Sequence, residues 1–501
     1  MGGLFWMLSG TGIQSVLQLL VLAILARLLT PVDFGLVGAA LVVMRFSNIF
    51  SQLGIGPAIV QRPNLSTTHI RTGFTITLLF GASLVALIWL LSPHIAGFFR
   101  MDGLVPVLRV IALAFFFKGL AGISESLLQR DMQFRWLAII QVISYALGYG
   151  AVGIILALAG FGVWSLVLAY LAQEILISVM AMIAMPHPKI PQLNRAAFGE
   201  LMYFGGGYTI ARIANFIAVQ GDNLVVGRWM GAAALGLYGR AYQLMAMPAT
   251  LFGQTLDKVL FPAMAKVQAE PQRLSTAYRR SIALIAMVVM PVSAVMFILA
   301  PEVINVLLGD AWLGVIAPFK ILAVGMLFRS SYKMSDSLAR AKGAVYRRAW
   351  RQIVYAAMVI GGAWVGQHWG LSGVAYGVLG ALLINFVLMA QLSLQLTSLT
   401  WKDFIAAHGS AALLTTVVFL EAWFTAVGAR SIGLAEFAIL CVVLVIILAT
   451  FTAMLRLAPK LFFGTDGIWL LNELAQYRQL GFLARLIKKG EVANETNPCN
   501  H

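Results

Sequence analysis

Apolar runs alternate with short polar segments along almost the whole chain. A helix needs about 20 apolar residues to cross a hydrocarbon core of about 30 Å. On that measure the pattern predicts membrane-crossing helices over 9–29, 35–56, 72–92, 104–127, 137–158, 162–184 and 201–227. It continues with 235–260, 281–300, 314–337, 349–367, 371–396, 405–427 and 432–455. The expectation is an all-α integral membrane protein of about fourteen transmembrane helices. The longest polar stretches are 185–200, 258–280 and the segment after 456, and none reads as a soluble domain.

Composition points the same way. Of 501 residues, 60% are hydrophobic and 11% charged, with a mean hydropathy of +0.89. A soluble domain carries about 25% charged residues. The two cysteines, Cys441 and Cys499, exclude a disulfide framework and a cysteine metal site. The amino terminus lacks a charged stretch and a small-residue cleavage site, so the first run reads as an uncleaved span.

The net charge of +16 changes the picture only through its placement. It does not call for a nucleic acid partner, because the basic residues lie in short loops. With the amino terminus inside, cytoplasmic segments hold Arg62, Arg71, Arg130, Arg135, Lys189, Arg195, Lys258, Lys266, Arg273, Arg279, Arg280, Arg340, Lys342, Arg347, Arg348, Arg351 and Lys402. The opposite side holds Arg100, Arg109, Arg228 and Arg430. The positive-inside asymmetry puts both termini in the cytoplasm. Residues 457–501, rich in Leu and Phe among Arg and Lys, read as an amphipathic cytoplasmic tail.

The chain also resembles itself. Arg27-Leu28-Leu29 and Phe34-Gly35-Leu36-Val37-Gly38 match Arg228-Trp229-Met230 and Leu235-Gly236-Leu237-Tyr238-Gly239 at an offset of 201. Ser124-Glu125-Ser126-Leu127 matches Ser335-Asp336-Ser337-Leu338 at an offset of 211, where Lys118 falls on Arg329 and Gly162-Val163 on Gly373-Val374. Each offset spans six helices, an even number, so the copies enter the membrane in the same sense. They are parallel repeats, an arrangement in which transporters place the substrate path between halves. The expected organisation is a six-helix bundle over 1–190, another over 191–400, and two additional helices over 401–456.

Ionisable residues deep in a span cost roughly 2.5–3.5 kcal/mol each on insertion scales and usually face a cavity or a partner. Candidates for substrate binding are Arg45, Lys118, Arg212, Arg240, Arg329 and Lys333. Candidates for coupling or gating are Glu125, Glu174, Asp222 and Asp336. Glu421 is a further deep acid, in the thirteenth span. Lys118 and Glu125 are seven residues apart and share a helix face, about 10 Å apart along the axis; Arg329 and Asp336 repeat that spacing. An excess of deep cations suits an anionic cargo, since Arg grips phosphate in bidentate fashion and Lys acts as a point charge. Internal ion pairing is the competing reading for any single residue. Gly54 to Pro57, Gly205 to Gly207, Pro248 and Pro291 fall inside spans, as hinges or static kinks.

No Walker-type loop and no HExxH motif is present, and the six histidines show no ligand spacing. No cofactor or metal is expected.

Several segments resemble the polysaccharide transporters of the multidrug/oligosaccharidyl-lipid/polysaccharide exporter superfamily, the O-antigen, colanic acid and teichuronic acid flippases in particular. They are Ala26-Arg27-Leu28-Leu29-Thr30-Pro31-Val32-Asp33-Phe34-Gly35, Gly54-Ile55-Gly56-Pro57, Leu127-Leu128-Gln129-Arg130-Asp131-Met132, Gly162-Val163-Trp164 and Asp222 through Tyr242. The resemblance covers most of 1–400. It implies two six-helix bundles, alternating access, and transfer of an undecaprenyl-diphosphate-linked oligosaccharide from the cytoplasmic to the periplasmic leaflet of the inner membrane. It implies membrane lipids, a polysaccharide polymerase and glycosyltransferases as surroundings, and no catalysis. A peptidoglycan-precursor flippase and a cation-coupled drug exporter stay open within the superfamily, though the latter calls for more deep acids than cations. A membrane polymerase or ligase would call for a large outer loop with catalytic charge.

Overall fold

The computed structural model describes residues 2–51, 55–203, 209–459, 461–464 and 466–468. Among them every regular element is a helix. In order they are α1 (Gly2–Leu28), α2 (Pro31–Ser51), α3 (Ile55–Gln61), α4 (Thr67–Phe99), α5 (Leu104–Ala112), α6 (Ala114–Arg130) and α7 (Phe134–Ile143). A π-helical stretch (Ser144–Val152) joins α7 to α8 (Gly153–Leu158). Then come α9 (Val163–Ala184), α10 (Arg195–Tyr203), α11 (Thr209–Lys266), α12 (Pro271–Ile298) and α13 (Ala300–Leu307). The chain ends with α14 (Ile316–Val324), α15 (Met326–Ala341), α16 (Val345–Gly366), α17 (Gly370–Leu396), α18 (Trp401–Ser431) and α19 (Glu436–Leu457).

Nine helical segments among the described residues are long and apolar enough to cross a membrane, or ten if the bent pair over Asp310–Val324 and Met326–Ala341 is one span. The two helices expected over 201–227 and 235–260 form one element, α11, broken only at Gly231 (φ 85°). A single glycine in the left-handed region turns the chain where a polar loop was expected. Most of the tail and Gly54 and Gly205 to Gly207 lie outside the described residues.

Two compact units form. The first comprises 1–240, 307–314 and 356–377; the second comprises 241–306, 315–355 and 378–501. In the first, α4 lies against α6 through glycines. A Cβ on Gly81 would sit 2.5 Å from the Phe115 carbonyl oxygen, and one on Gly119 would sit 2.6 Å from that of Thr77. Trp312, fully buried, packs edge-on against Phe34 at 5.2 Å and donates its indole N–H to the Ala26 carbonyl at 2.8 Å. In the second, the added helices α18 and α19 are held to the end of α12 by Ile298, Ala422, Ala426, Ile439 and Val443. Arg430 grips Glu302 with both Nε and Nη2, which ties down the C-terminal end of α18.

Two helix breaks recur at nearly the same offset. The pair α5 and α6 is split at Leu113, and the pair α14 and α15 at Gly325, 212 positions later. Each pair ends on a left-handed turn residue, Met132 (φ 54°) and Gly343 (φ 66°), 211 positions apart. Where α2 crosses α11 in the first unit, a Cβ on Gly35 would collide with the Ala232 carbonyl, and one on Gly236 with the Pro31 carbonyl. Gly35 maps onto Gly236, and Pro31 onto Ala232, at the same offset of 201. Gly35 and Gly236, and Pro31 and Ala232, thus take matching places on the two sides of this crossing.

Candidate functional site

The first unit encloses a cavity of about 480 Å³ lined by α2, α3, α4, α6, α7 and α9. Lys118, Glu125 and Gln129 come from one face of α6, at helical spacings of seven and four. Glu174 and Gln173 come from α9 and Gln141 from α7. The close passage of α4 and α6 at Gly81 and Gly119 places both glycines in the wall. The π-helical stretch sets the other side. Its Gly148 passes so near α9 that a Cβ would lie 2.5 Å from the Gln173 Cα, which holds Gln173 in place.

Lys118 is ion-paired. Its Nζ lies 3.2 Å from Glu174 Oε1 and donates to the Tyr170 hydroxyl at 3.3 Å. The sequence placed Lys118 among cations for an anionic cargo and Glu174 among coupling acids, whereas the fold makes them one pair. Glu125 lines the same cavity. Lys118 and Glu174 offset one another, and Glu125 adds a second carboxyl to the wall. Among the described residues, the side chains of Gln129, Gln141 and Gln173 in its wall make no hydrogen bond within the protein.

The second unit differs at the matching position. Arg329 on α15 is 7% exposed; its guanidinium donates to the Tyr242 hydroxyl and lies over that ring at 4.9 Å. Its Nε has no hydrogen-bond partner, and no carboxylate pairs with it among the described residues. Glu174 maps at the offset of 211 onto Asn385. Asn385 on α17 is 1% exposed, with neither amide atom hydrogen-bonded among the described residues. The Phe328 and Phe386 rings, 5.3 Å apart, bring α15 and α17 together beside these two residues. Where the offset sets Lys118 and Glu174 against Arg329 and Asn385, the first two pair and neither of the last two meets a carboxylate among the described residues.

The remaining expected residues are dispersed. Asp336 does not repeat the cavity position of Glu125; it pairs with Arg340 at 3.3 Å and with Arg348. Lys333 is half-buried on α15. Asp222 is 1% exposed and accepts from the Tyr238 hydroxyl at 2.9 Å. Arg240 lies over the Phe34 ring at 4.8 Å, its Nε without a hydrogen bond among the described residues, within electrostatic reach of Tyr145, Tyr149 and the exposed Arg45. The Arg212 side chain falls outside the described residues. Glu421 accepts from the Thr450 hydroxyl, linking α18 to α19.

On the polar side of the first unit, Glu200 of α10 pairs with Arg62 at 2.5 Å and with His69 at 3.0 Å. The His69 imidazole, then the Arg62 guanidinium, hold its carboxyl below the usual carboxylate range. Sequence reasoning gave His69 no ligand spacing; its partner Glu200 lies 131 positions away. It also passed over Tyr170, the three glutamines and Asn385. The last had a signal, since the offset that pairs Lys118 with Arg329 also pairs Glu174 with Asn385. No cluster of three or more His, Cys, Asp or Glu suited to a metal occurs among the described residues.

A family model described as polysaccharide biosynthesis protein matches residues 24–317, more than half of the chain. The chain belongs to that family. It is 25% identical over 350 residues to the teichuronic acid biosynthesis protein TuaB of Bacillus subtilis, covering 68% of this chain and 71% of that one. It is 24% identical over 403 residues to the lipopolysaccharide biosynthesis protein WzxC of Escherichia coli, covering 77% and 79%. The succinoglycan biosynthesis transport protein ExoT of Rhizobium meliloti is 28% identical over 308 residues, 61% of each chain. In fold, the chain is similar to the lipid II flippase MurJ in an inward closed conformation, with a TM-score of 0.71 and 15% identity over 89% of this chain and 98% of that one. An inward-facing multidrug transporter of the MATE family follows, with a TM-score of 0.60 and 18% identity over 76% and 95%.

Proposed function

We propose that this chain turns a lipid-diphosphate-linked oligosaccharide from the cytoplasmic to the periplasmic leaflet of the inner membrane by alternating access. It acts as a carrier and not as an enzyme. The observation that carries the reading is the buried Arg329, a fixed cation with no carboxylate among the described residues. A buried charge of that kind is costly unless a ligand pairs with it. A diphosphate supplies the counter-charge and matches the guanidinium fork. Membership of the polysaccharide biosynthesis family supports a glycan as the rest of the cargo. Arg45, Arg212, Arg240 and Lys333 are proposed as further substrate-binding cations, and Asp222 and Asp336 as gating acids. Lys118 meets the cargo with Glu174 beside it.

Fourteen spans follow from the helices if α1 counts as one, α11 as two about Gly231, α14 with α15 as one, and α16 and α17 as two. An even count agrees with both termini in the cytoplasm. The six-helix copies then run over 1–190 and 191–400, with 401–456 added.

The test is flipping of a lipid-diphosphate-linked oligosaccharide in proteoliposomes. Arg329→Gln is expected to lower the rate at least tenfold, with Arg329→Lys intermediate. An Arg329→Gln rate equal to wild type would remove Arg329 from the path. Flipping of a peptide-bearing precursor in preference to the glycan would move the cargo to peptidoglycan.

A further inference from the structure

The cavity of the first unit has a chemistry the diphosphate does not explain. Phosphate oxygens only accept hydrogen bonds, so a diphosphate site needs donors and positive charge. Here the one cation among the described lining residues, Lys118, is paired with Glu174, and Glu125 adds a second carboxyl. That wall leaves a phosphate no unpaired cation to bind. What the wall offers instead is amides. Gln129, Gln141 and Gln173 each present a carbonyl acceptor and an N–H donor. Glu125 accepts alone, and Phe115 and Ile177 add apolar surface. A ligand that suits this wall carries many groups that both donate and accept, has no negative charge, and shows an apolar face. Pyranose sugars have that description: vicinal hydroxyls around the ring edge and C–H groups on its faces. The cavity, about 480 Å³, falls within the range of small-ligand pockets and admits one or two rings.

We infer that this cavity is a saccharide-binding pocket that takes uncharged or amino-substituted sugar units, with Gln141 and Gln173 as the residues that grip the ring hydroxyls. It rests on the flippase reading for its biological meaning but not for its chemistry. The pocket recognises the glycan end of the cargo and leaves the diphosphate to other residues. It therefore sets which sugars pass. A lipophilic cation is the competing occupant, because Glu125 would pair with it.

The test uses the purified full chain in nanodiscs, with thermal stabilisation as the readout. The probes are glucose, N-acetylglucosamine, lactose and glucuronate, with inorganic pyrophosphate and tetraphenylphosphonium as competitors. Uncharged and N-acetylated sugars are expected to stabilise the protein at millimolar concentration, and glucuronate at least tenfold more weakly. Gln141→Ala with Gln173→Ala is expected to weaken the sugar response about tenfold or more, the effect of two lost hydrogen bonds. Gln129→Ala alone, in the exposed part of the wall, gives a smaller loss and serves if the double variant does not fold. Pyrophosphate is expected not to displace sugar. The inference is overturned if no sugar stabilises the protein, if pyrophosphate or tetraphenylphosphonium displaces sugar competitively, or if the glutamine variants respond as wild type. Failure of the flippase reading is scored apart: sugar binding kept, with no lipid-linked glycan flipped.

Discussion

The crossing of α2 on α11 at Gly35 and Gly236 yields a prediction that tests the packing of the first unit. A Cβ on Gly35 would lie 2.5 Å from the Ala232 carbonyl carbon, and one on Gly236 would lie 2.8 Å from that of Pro31. Non-bonded carbons rest at about 3.5–4.0 Å, so either alanine must push the helices apart by roughly 1 Å. Backbone cannot yield as a side-chain tip does, and forced overpacking costs about 1–3 kcal/mol. Alanine regains up to about 1 kcal/mol of helix propensity over glycine. Gly35→Ala and Gly236→Ala are each expected to destabilise by about 1–2 kcal/mol. Once the first methyl has opened the crossing, the second enters a gap already made. The double variant should then cost less than the sum by at least about 0.5 kcal/mol. Unfolding of the purified protein in mixed micelles, followed by helix content, measures all three. Gly428→Ala is the control, because a Cβ there meets nothing within 4 Å. The reasoning fails if Gly35→Ala is no worse than Gly428→Ala, or if the two substitutions add.

Three further predictions follow from the charges. Asn385→Glu should supply Arg329 with the acid that Glu174 gives Lys118, and lower the flipping rate at least tenfold in proteoliposomes, while Asn385→Ala keeps most of it; an unimpaired Asn385→Glu would refute the need for an uncompensated cation. The Glu200 carboxyl, held low by His69 and Arg62, contributes stability that is complete above the ordinary carboxylate value of about 4.3 and is lost as pH falls through its lowered value. Glu200→Gln should remove that acid limb from a plot of melting temperature against pH and should change the curve near neutrality only by a constant offset. Arg430→Gln strands Glu302, which is 3% exposed; with Arg430 itself half-exposed, the loss is about 2 kcal/mol, and adding Glu302→Gln should restore most of it in the same micellar unfolding assay.

The helices were legible in the sequence because apolar runs of spanning length are a local signal. The structure adds Met132 and Gly343, which share a left-handed turn although one is not glycine. Other features depend on neighbours that no local pattern encodes. The π-helical turn at Ser144–Val152 exists where Gly148 meets α9, and its residues look like ordinary apolar helix. The break in α11 needs one residue, Gly231, too short a signal to separate from the other glycines. Charge pairing is a tertiary property: Lys118 and Glu174 lie 56 positions apart and meet only when α6 packs on α9. Counting deep cations against deep acids could not reveal that one cation was already neutralised.

That pairing bears on the offset match of 211. Lys118 faces the acid Glu174, while Arg329 and Asn385 stand at the matching positions. An ion pair with a partly exposed lysine adds little stability, and it leaves Lys118 already neutralised. A buried cation without an acid is costly; Arg329 has the Tyr242 hydroxyl and ring beside it but no carboxylate among the described residues. The two choices make sense together when one ligand has two chemically different ends. A symmetric carrier of a simple anion would hold the same cation in both copies, whereas a lipid diphosphate joined to a glycan asks for charge at one place and hydroxyl recognition at another. Replacing Glu174 with Asn should then make the first copy like the second. Inorganic pyrophosphate, which the wild-type cavity is expected to refuse, should compete with sugar in Glu174→Asn, and its continued exclusion would show that Glu174 is not what keeps anions out.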